Sequence, residues 1–355
     1  MNRASYITTL AVYLCGAYGV ACFEPLTDAN GGDGPGFDRS PSDGLWITVE
    51  ELAALPMSGE AWSELQSAAT GNWGRADVSD QENEHDVLTF AGALYAERTD
   101  DDVMRMRVRD ALDEAIGTEA GGRTLALGRQ LLGYVRAADL IGYRDPAFVA
   151  WVDAVRTTTL DGRGGIDTLF DSATQDPSNW GCHARASMIA AARYLGDNAQ
   201  LALLADRLRD YLGRSGSGFR FGELWWQANP ATPVGINPAG ATIMGNNVDG
   251  VITDDQRRGG AFQWPPPREN YVWESLQGTV ASAHLLERAG YPSWQWEDRA
   301  ILRAVTWLHN EANYPAAGDD SWMPWRINAA YGTSFPASSG RPTGKSAGFT
   351  SWTHP

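Results

Sequence analysis

From Leu45 to the end, the apolar residues of this chain recur mostly at intervals of three and four, the spacing that puts them on one face of a helix. Turn signals punctuate the pattern, and strand-like alternation is scarce, its best case being Phe219–Trp226. The periodicity predicts helices over Ala61–Ala69, Asn83–Glu97 (with Val87, Phe90, Ala91 and Leu94 inward), Asp101–Ile116 (with Val103, Met106, Val108, Leu112 and Ile116 inward), Arg123–Leu140 and Pro146–Thr158. It continues through Ser178–Leu195, Ala199–Leu212, Tyr271–Ala289, Trp296–Asn310 and Ser321–Ala330. No fixed-length repeat accompanies these segments, which argues against a solenoid of TPR or HEAT type. The expected fold is all-α: an incomplete (α/α) toroid, or barrel, of antiparallel helical hairpins. The long irregular stretch Gly213–Asn270, rich in Gly, Pro and Asn, interrupts it; a loop of that length inside a helical domain is usually functional.

The N-terminus has a different character. Arg3, a mildly apolar run over Ala4–Leu14 and the small residues Gly19-Val20-Ala21 ahead of Cys22 read as a signal peptide over residues 1–21, too short to span a bilayer. Cys22 fits a lipidation site and so a membrane tether, and residues 22–44, dense in Gly, Pro, Asp and Ser, fit a flexible linker. An exported protein, held in the periplasm, attached to the outer membrane or secreted, is the expectation, with residues 45–355 as one domain. Of the three cysteines only Cys182 lies in that domain, so no disulfide framework or thiolate metal cluster is available to it.

Composition removes further classes. Fifteen Trp, 12 Tyr and 10 Phe are too many for a solvated coil. A formal net charge of -16 repels a nucleic-acid backbone. The five histidines, at 85, 183, 284, 309 and 354, are scattered, so neither a metal nor any other cofactor is expected. Gly340–Ser346 approaches a phosphate loop but is one residue short and too near the C-terminus to be followed by a strand–helix unit. Lys345 is the only lysine, which codon bias explains as readily as chemistry.

Three constellations remain. Ser178 can cap a helix on whose first turn Asn179 and His183 stand four apart, a pairing suited to binding a carboxylate and removing a nearby proton; capping and a core histidine are the alternative. Arg257 and Arg258 offer planar donors for a carboxylate near Tyr271, whose hydroxyl can act as acid or base, while Trp264 and Trp273 can stack on sugar rings. Alternatively both arginines simply bridge Asp254 and Asp255. In the tail, Arg326 and Tyr331 are candidate substrate contacts in a segment more suited to packing.

Ser178-Asn-Trp-Gly-Cys-His183 opening a mid-chain helix, the Arg-Arg pair ahead of Tyr271, and the ending from Asp319-Asp-Ser-Trp322 to Tyr331-Gly-Thr-Ser-Phe-Pro336 resemble the alginate lyase-like polysaccharide lyases of the helical-toroid type, in particular a group of uncharacterised exported bacterial proteins. The resemblance implies β-elimination at a uronic acid of an acidic polysaccharide. It assigns catalysis to Asn179, His183, Arg258 and Tyr271, and substrate contacts to Arg257, Trp180, Trp264, Trp273, Arg326 and Tyr331. Asn179 matches the family's Asn, but Trp180 follows it, so the histidine role passes to His183; the Arg-to-Tyr gap is longer here. Two other functions fit the same residues. One is a glycoside hydrolase using carboxylates among Glu223, Asp249, Asp254, Asp255 and Glu274, and the other a non-catalytic glycan-binding lipoprotein.

Overall fold

The computed structural model describes residues 44–337 and 344–354. The expected signal peptide, Cys22 and all of the linker but Gly44 lie outside those residues. The helices in chain order are α1 (Val49–Ala53), α2 (Glu60–Thr70), α3 (His85–Thr99), α4 (Asp102–Ala115), α5 (Thr124–Leu140), α6 (Pro146–Val155), α7 (Leu169–Gln175) and α8 (Asn179–Leu195). After them come α9 (Asn198–Arg209), α10 (Thr253–Gln256), α11 (Tyr271–Arg288), α12 (Trp296–Asn310), α13 (Met323–Tyr331) and α14 (Thr350–Thr353). The chain is therefore all-α in class. The strand-like alternation of Phe219–Trp226 is irregular backbone; among the described residues the one strand pair is a small antiparallel hairpin, Thr242–Ile243 with Asn246–Asn247. Its two-residue turn, Met244-Gly245, has both φ angles positive, as the strand twist requires.

Two kinds of helix are present. α4 and α12 bury a single stripe, as amphipathic surface helices do. In α4 that stripe is Met104, Val108, Ala111, Leu112 and Ala115; Val103 and Met106, expected inside, are exposed. The stripe packs on α3, where Val108 meets Gly92, and leaves Val103 and Met106 on the opposite, solvent side. By contrast, every residue of α5 is buried, and nearly every residue of α8 and α11.

The buried helices form a row in which α3 packs on α5, α5 on α8 and α8 on α11. Their contacts advance together along both chains. Asp86 meets Gly133 and Phe90 meets Arg136. Gly128 meets Ala184, while the Leu132 amide donates to the Ser187 hydroxyl. Cys182 meets Gly278, and Arg193 donates to the Leu285 carbonyl. Contacts that climb in step mean parallel helices, so the four N-termini lie at one end of the row. α11 then contacts α13, α13 contacts α14, α14 contacts α2, and α2 returns to α3. One hydrophobic core, from Leu45 to Trp352, fills the interior.

Glycine sets the helix separation at the centre of the row. A Cβ on Gly278 would stand 2.2 Å from the carbonyl carbon of Cys182, and one on Gly128 would stand 3.0 Å from the Ala184 nitrogen. Because the Gly278 obstacle is backbone, α8 and α11 would have to part. Gly278→Ala is expected to destabilise the fold by about 1–3 kcal/mol, the usual cost of overpacking, read as a lower midpoint in urea denaturation.

Candidate active site

Parallel inner helices bring the first turns of α8 and α11 to one end, and with them two pairs of the residues singled out from sequence. On α8, Asn179 and His183 are fully buried, and both side-chain polar atoms of Asn179 lack a hydrogen-bond partner. Ser178 takes the N-cap position without making the capping bond; the Asp176 carboxylate accepts the Ser178 amide at 2.8 Å instead. On the α11 side, the Arg258 guanidinium lies 3.3 Å from the centre of the Tyr271 ring, a cation–π stack. Tyr271 is 37% exposed, whereas His183 is 0%.

Arg258 and Arg257 follow α10 in a tight turn and meet different fates. Arg257 is held by Glu223 at 2.6 Å and by Asp254 at 3.0 Å, so its charge is spent within the protein. Arg258 faces only Asp255, at 3.7 Å. Burial, reinforced by Asp254, pushes the Asp255 carboxyl up to about 8, despite its Ser275 hydrogen bond and the nearby Arg258. At neutral pH Asp255 is therefore mostly protonated, and the positive charge of Arg258 is left largely unbalanced. The same Asp255, bonded to Ser275 on α11, fixes the arginine turn against that helix.

A second group, only partly legible in sequence, adjoins the first. Glu274, one turn into α11, pairs with Arg129 of α5 and lies 3.6 Å from His183 Nε2, beyond hydrogen-bond reach. Lys345 from the C-terminal tail reaches Glu82 at 3.2 Å, Glu274 at 3.5 Å and Asp319 at 3.6 Å. Beside it, the Ser346 hydroxyl meets His183 Nδ1 at 2.6 Å. Burial drives the His183 imidazole down to about 4, against the pull of Glu274, so the ring is neutral at physiological pH. Burial would raise Glu274, but His183, Arg129 and Lys345 outweigh it and hold the carboxyl at about 2. Asp320, next to Asp319, goes the other way: burial lifts it to about 8 even though Gln277 donates to it at 2.7 Å. Sequence offers His183, Glu274 and the solitary Lys345 from this group; Arg129 and Gln130 are hidden within an apolar helix pattern.

The remaining sequence candidates divide by exposure. Trp264 is 38% exposed, and Trp180 is half-buried beside Asn179. Trp273 is wholly buried, donating to the Tyr314 carbonyl and packing edge-on to His309, so it has no face left for a sugar. Arg326 is buried too, bonded to His284 and Glu287 and stacked on Trp294, and the Tyr331 hydroxyl donates to the Trp294 carbonyl. Those two hold the tail against the body, because an unpaired buried guanidinium would be costly. Among the described residues no group of three His, Cys, Asp or Glu side chains could hold a metal ion. Comparison with protein-family models and with curated proteins returns no match.

Asp320 supplies a pH test with a definite sign. Its folded-state value of about 8 lies above the ordinary 3.8, so its stability contribution is complete below about 3.8 and lost as pH rises toward 8. Asp320→Asn keeps an acceptor for Gln277 and removes the titration. The variant is expected to gain stability relative to the parent as pH climbs from about 4 to 8, checked by urea midpoints across that range.

Proposed function

We propose that this chain is a polysaccharide lyase that cleaves a uronate-containing glycan by β-elimination, on helices that close into an (α/α) toroid. The observation that carries this reading is the accessible Arg258–Tyr271 stack, whose guanidinium stands 3.7 Å from Asp255 while Arg257 is gripped by two acids. The C5 proton of a uronate becomes removable when its carboxylate charge is offset, and Arg258 is the group free to do that. The N-termini of α8 and α11 add a favourable field for an anion. The Tyr271 hydroxyl is placed to accept the C5 proton and give its own to the departing glycosidic oxygen, so the side chain ends the elimination as it began it. His183 is too deeply buried and too weakly basic for that task. It and Asn179 support the site from behind: His183 ties Ser346 to the Glu274 side of the cluster. Trp264 and Trp180 are the aromatic faces open to sugar. Export, and a tether through Cys22, would suit a polymer too large to enter the cell.

One observation favours a second reading. Glu274, held near 2, and Asp320, near 8, are carboxyls whose surroundings drive them apart, the division of labour of a base and an acid in glycoside hydrolysis. The products separate the two. Elimination leaves unsaturated uronide ends that absorb in the ultraviolet, and hydrolysis gives reducing ends without that absorbance.

Tyr271→Phe is expected to lower kcat at least ~100-fold on the uronate polymer that the parent cleaves, and Arg258→Ala by about 3–4 kcal/mol of transition-state stabilisation, with unfolding midpoints unchanged. Full activity in Tyr271→Phe would remove the site.

A further inference from the structure

A cavity of about 190 Å³ opens between the N-terminal ends of α3 and α5 and the C-terminal tail, lined among others by Glu82, Arg129, Gln130, Asp319, Lys345 and Ser346. Three polar atoms in its wall are buried without a hydrogen-bond partner: Arg129 Nε, Gln130 Oε1 and Asp86 Oδ2. Their residues are 4%, 1% and 2% exposed, so bulk water does not serve them. Such groups, left unpaired at about 1–3 kcal/mol each, mark this as a polar wall and not packed apolar core.

Its charge limits what can enter. The acids that line it, Glu82, Glu84, Asp86 and Asp319, outnumber its cations, Arg129 and Lys345, and each cation is already ion-paired, Arg129 with Glu82 and Glu274 and Lys345 with Glu82, Glu274 and Asp319. An incoming carboxylate would have to displace one of these and leave it unpaired in a partly buried place. A hydroxyl need displace nothing, since an ammonium has three donors and a carboxylate about four lone-pair positions.

Resting on the lyase reading of the adjacent Arg258–Tyr271 stack, we propose that this cavity is a subsite for a neutral, hydroxyl-rich sugar unit, contacted directly by Lys345, and hence that the substrate places a non-acidic sugar near the uronate where cleavage occurs. Lys345 donates to ring hydroxyls, Glu82 and Asp319 accept from them, and Gln130 closes the inner wall. The side chain of Lys345 is 23% exposed and so reachable from the opening.

Because Lys345 is the only lysine, amine acylation followed by peptide mass analysis reports on this one side chain in the intact protein. Neutral β-linked hexose oligosaccharides are expected to slow its acylation at least several-fold, and oligouronates of equal length to leave it unchanged. A parallel cleavage assay compares a uniform polyuronate with a polymer alternating uronate and neutral sugar. The alternating polymer is expected to be the better substrate, and Lys345→Met to raise its KM at least several-fold with little change in kcat; Glu82→Gln, which leaves Lys345 in place, is expected to raise KM too. Protection by oligouronates alone, or no protection by any neutral sugar, would overturn the subsite while leaving the lyase reading to its own assay. Protection by neutral sugars without ultraviolet-absorbing ends from any polymer would uphold the subsite and remove the lyase.

Discussion

Helices buried on every side carry a cost for each polar group without a partner, and many interior contacts here lower that cost, although Asn179 stays unpaired. Arg136 of α5 shows it most clearly. Its guanidinium lies between the rings of Trp46 and Phe90, near Asp86, and donates to the Ser346 carbonyl at 2.9 Å. Burial pushes Arg136 down and Asp86 up, each partly offset by the other's charge. The hydroxyl of the same Ser346 meets His183. The C-terminal tail is thus bonded to α5 and α8 at a single residue, and Lys345 is carried into the cavity as a consequence. A tail that is also locked by the Trp352 indole on the Pro56 carbonyl has little freedom to leave.

That arrangement separates two electrostatic regions at one end of the inner helices. Around Arg258 the neighbouring carboxyl is driven neutral by burial, so positive charge faces the surface. Around Lys345 and Arg129 the carboxylates are paired with the cations and outnumber them. The first region suits an anionic group and the second a neutral one, although both lie in a protein of net charge -16. Screening over roughly 8–10 Å lets such local differences outweigh the total.

Much of the helical framework was legible because amphipathic periodicity and turn residues act locally; α5, α8 and α11 begin within a residue of their expected positions. The short helices α1, α7, α10 and α14 escaped because four to seven residues hold too little periodicity. Phe219–Trp226 alternates without forming a strand, since no neighbouring strand is there to pair with it. In the candidate site, the Arg258–Tyr271 pair was legible from proximity in sequence. The partners of Arg129, Glu274 and Lys345 were not, because they are brought together from three distant segments.

By itself the sequence determined the all-α class, the interruption at Gly213–Asn270, and the residue types available for chemistry, all of which follow from local spacing and composition. Only the tertiary structure decided which of those residues can meet a ligand. Whether an arginine is spent or available depends on the protonation of its neighbour, as the contrast between Arg257 and Arg258 shows, and whether a tryptophan has an open face depends on what packs against it, as Trp264 and Trp273 show. Burial and charge pairing are properties of the assembled interior, and no spacing rule along the chain contains them.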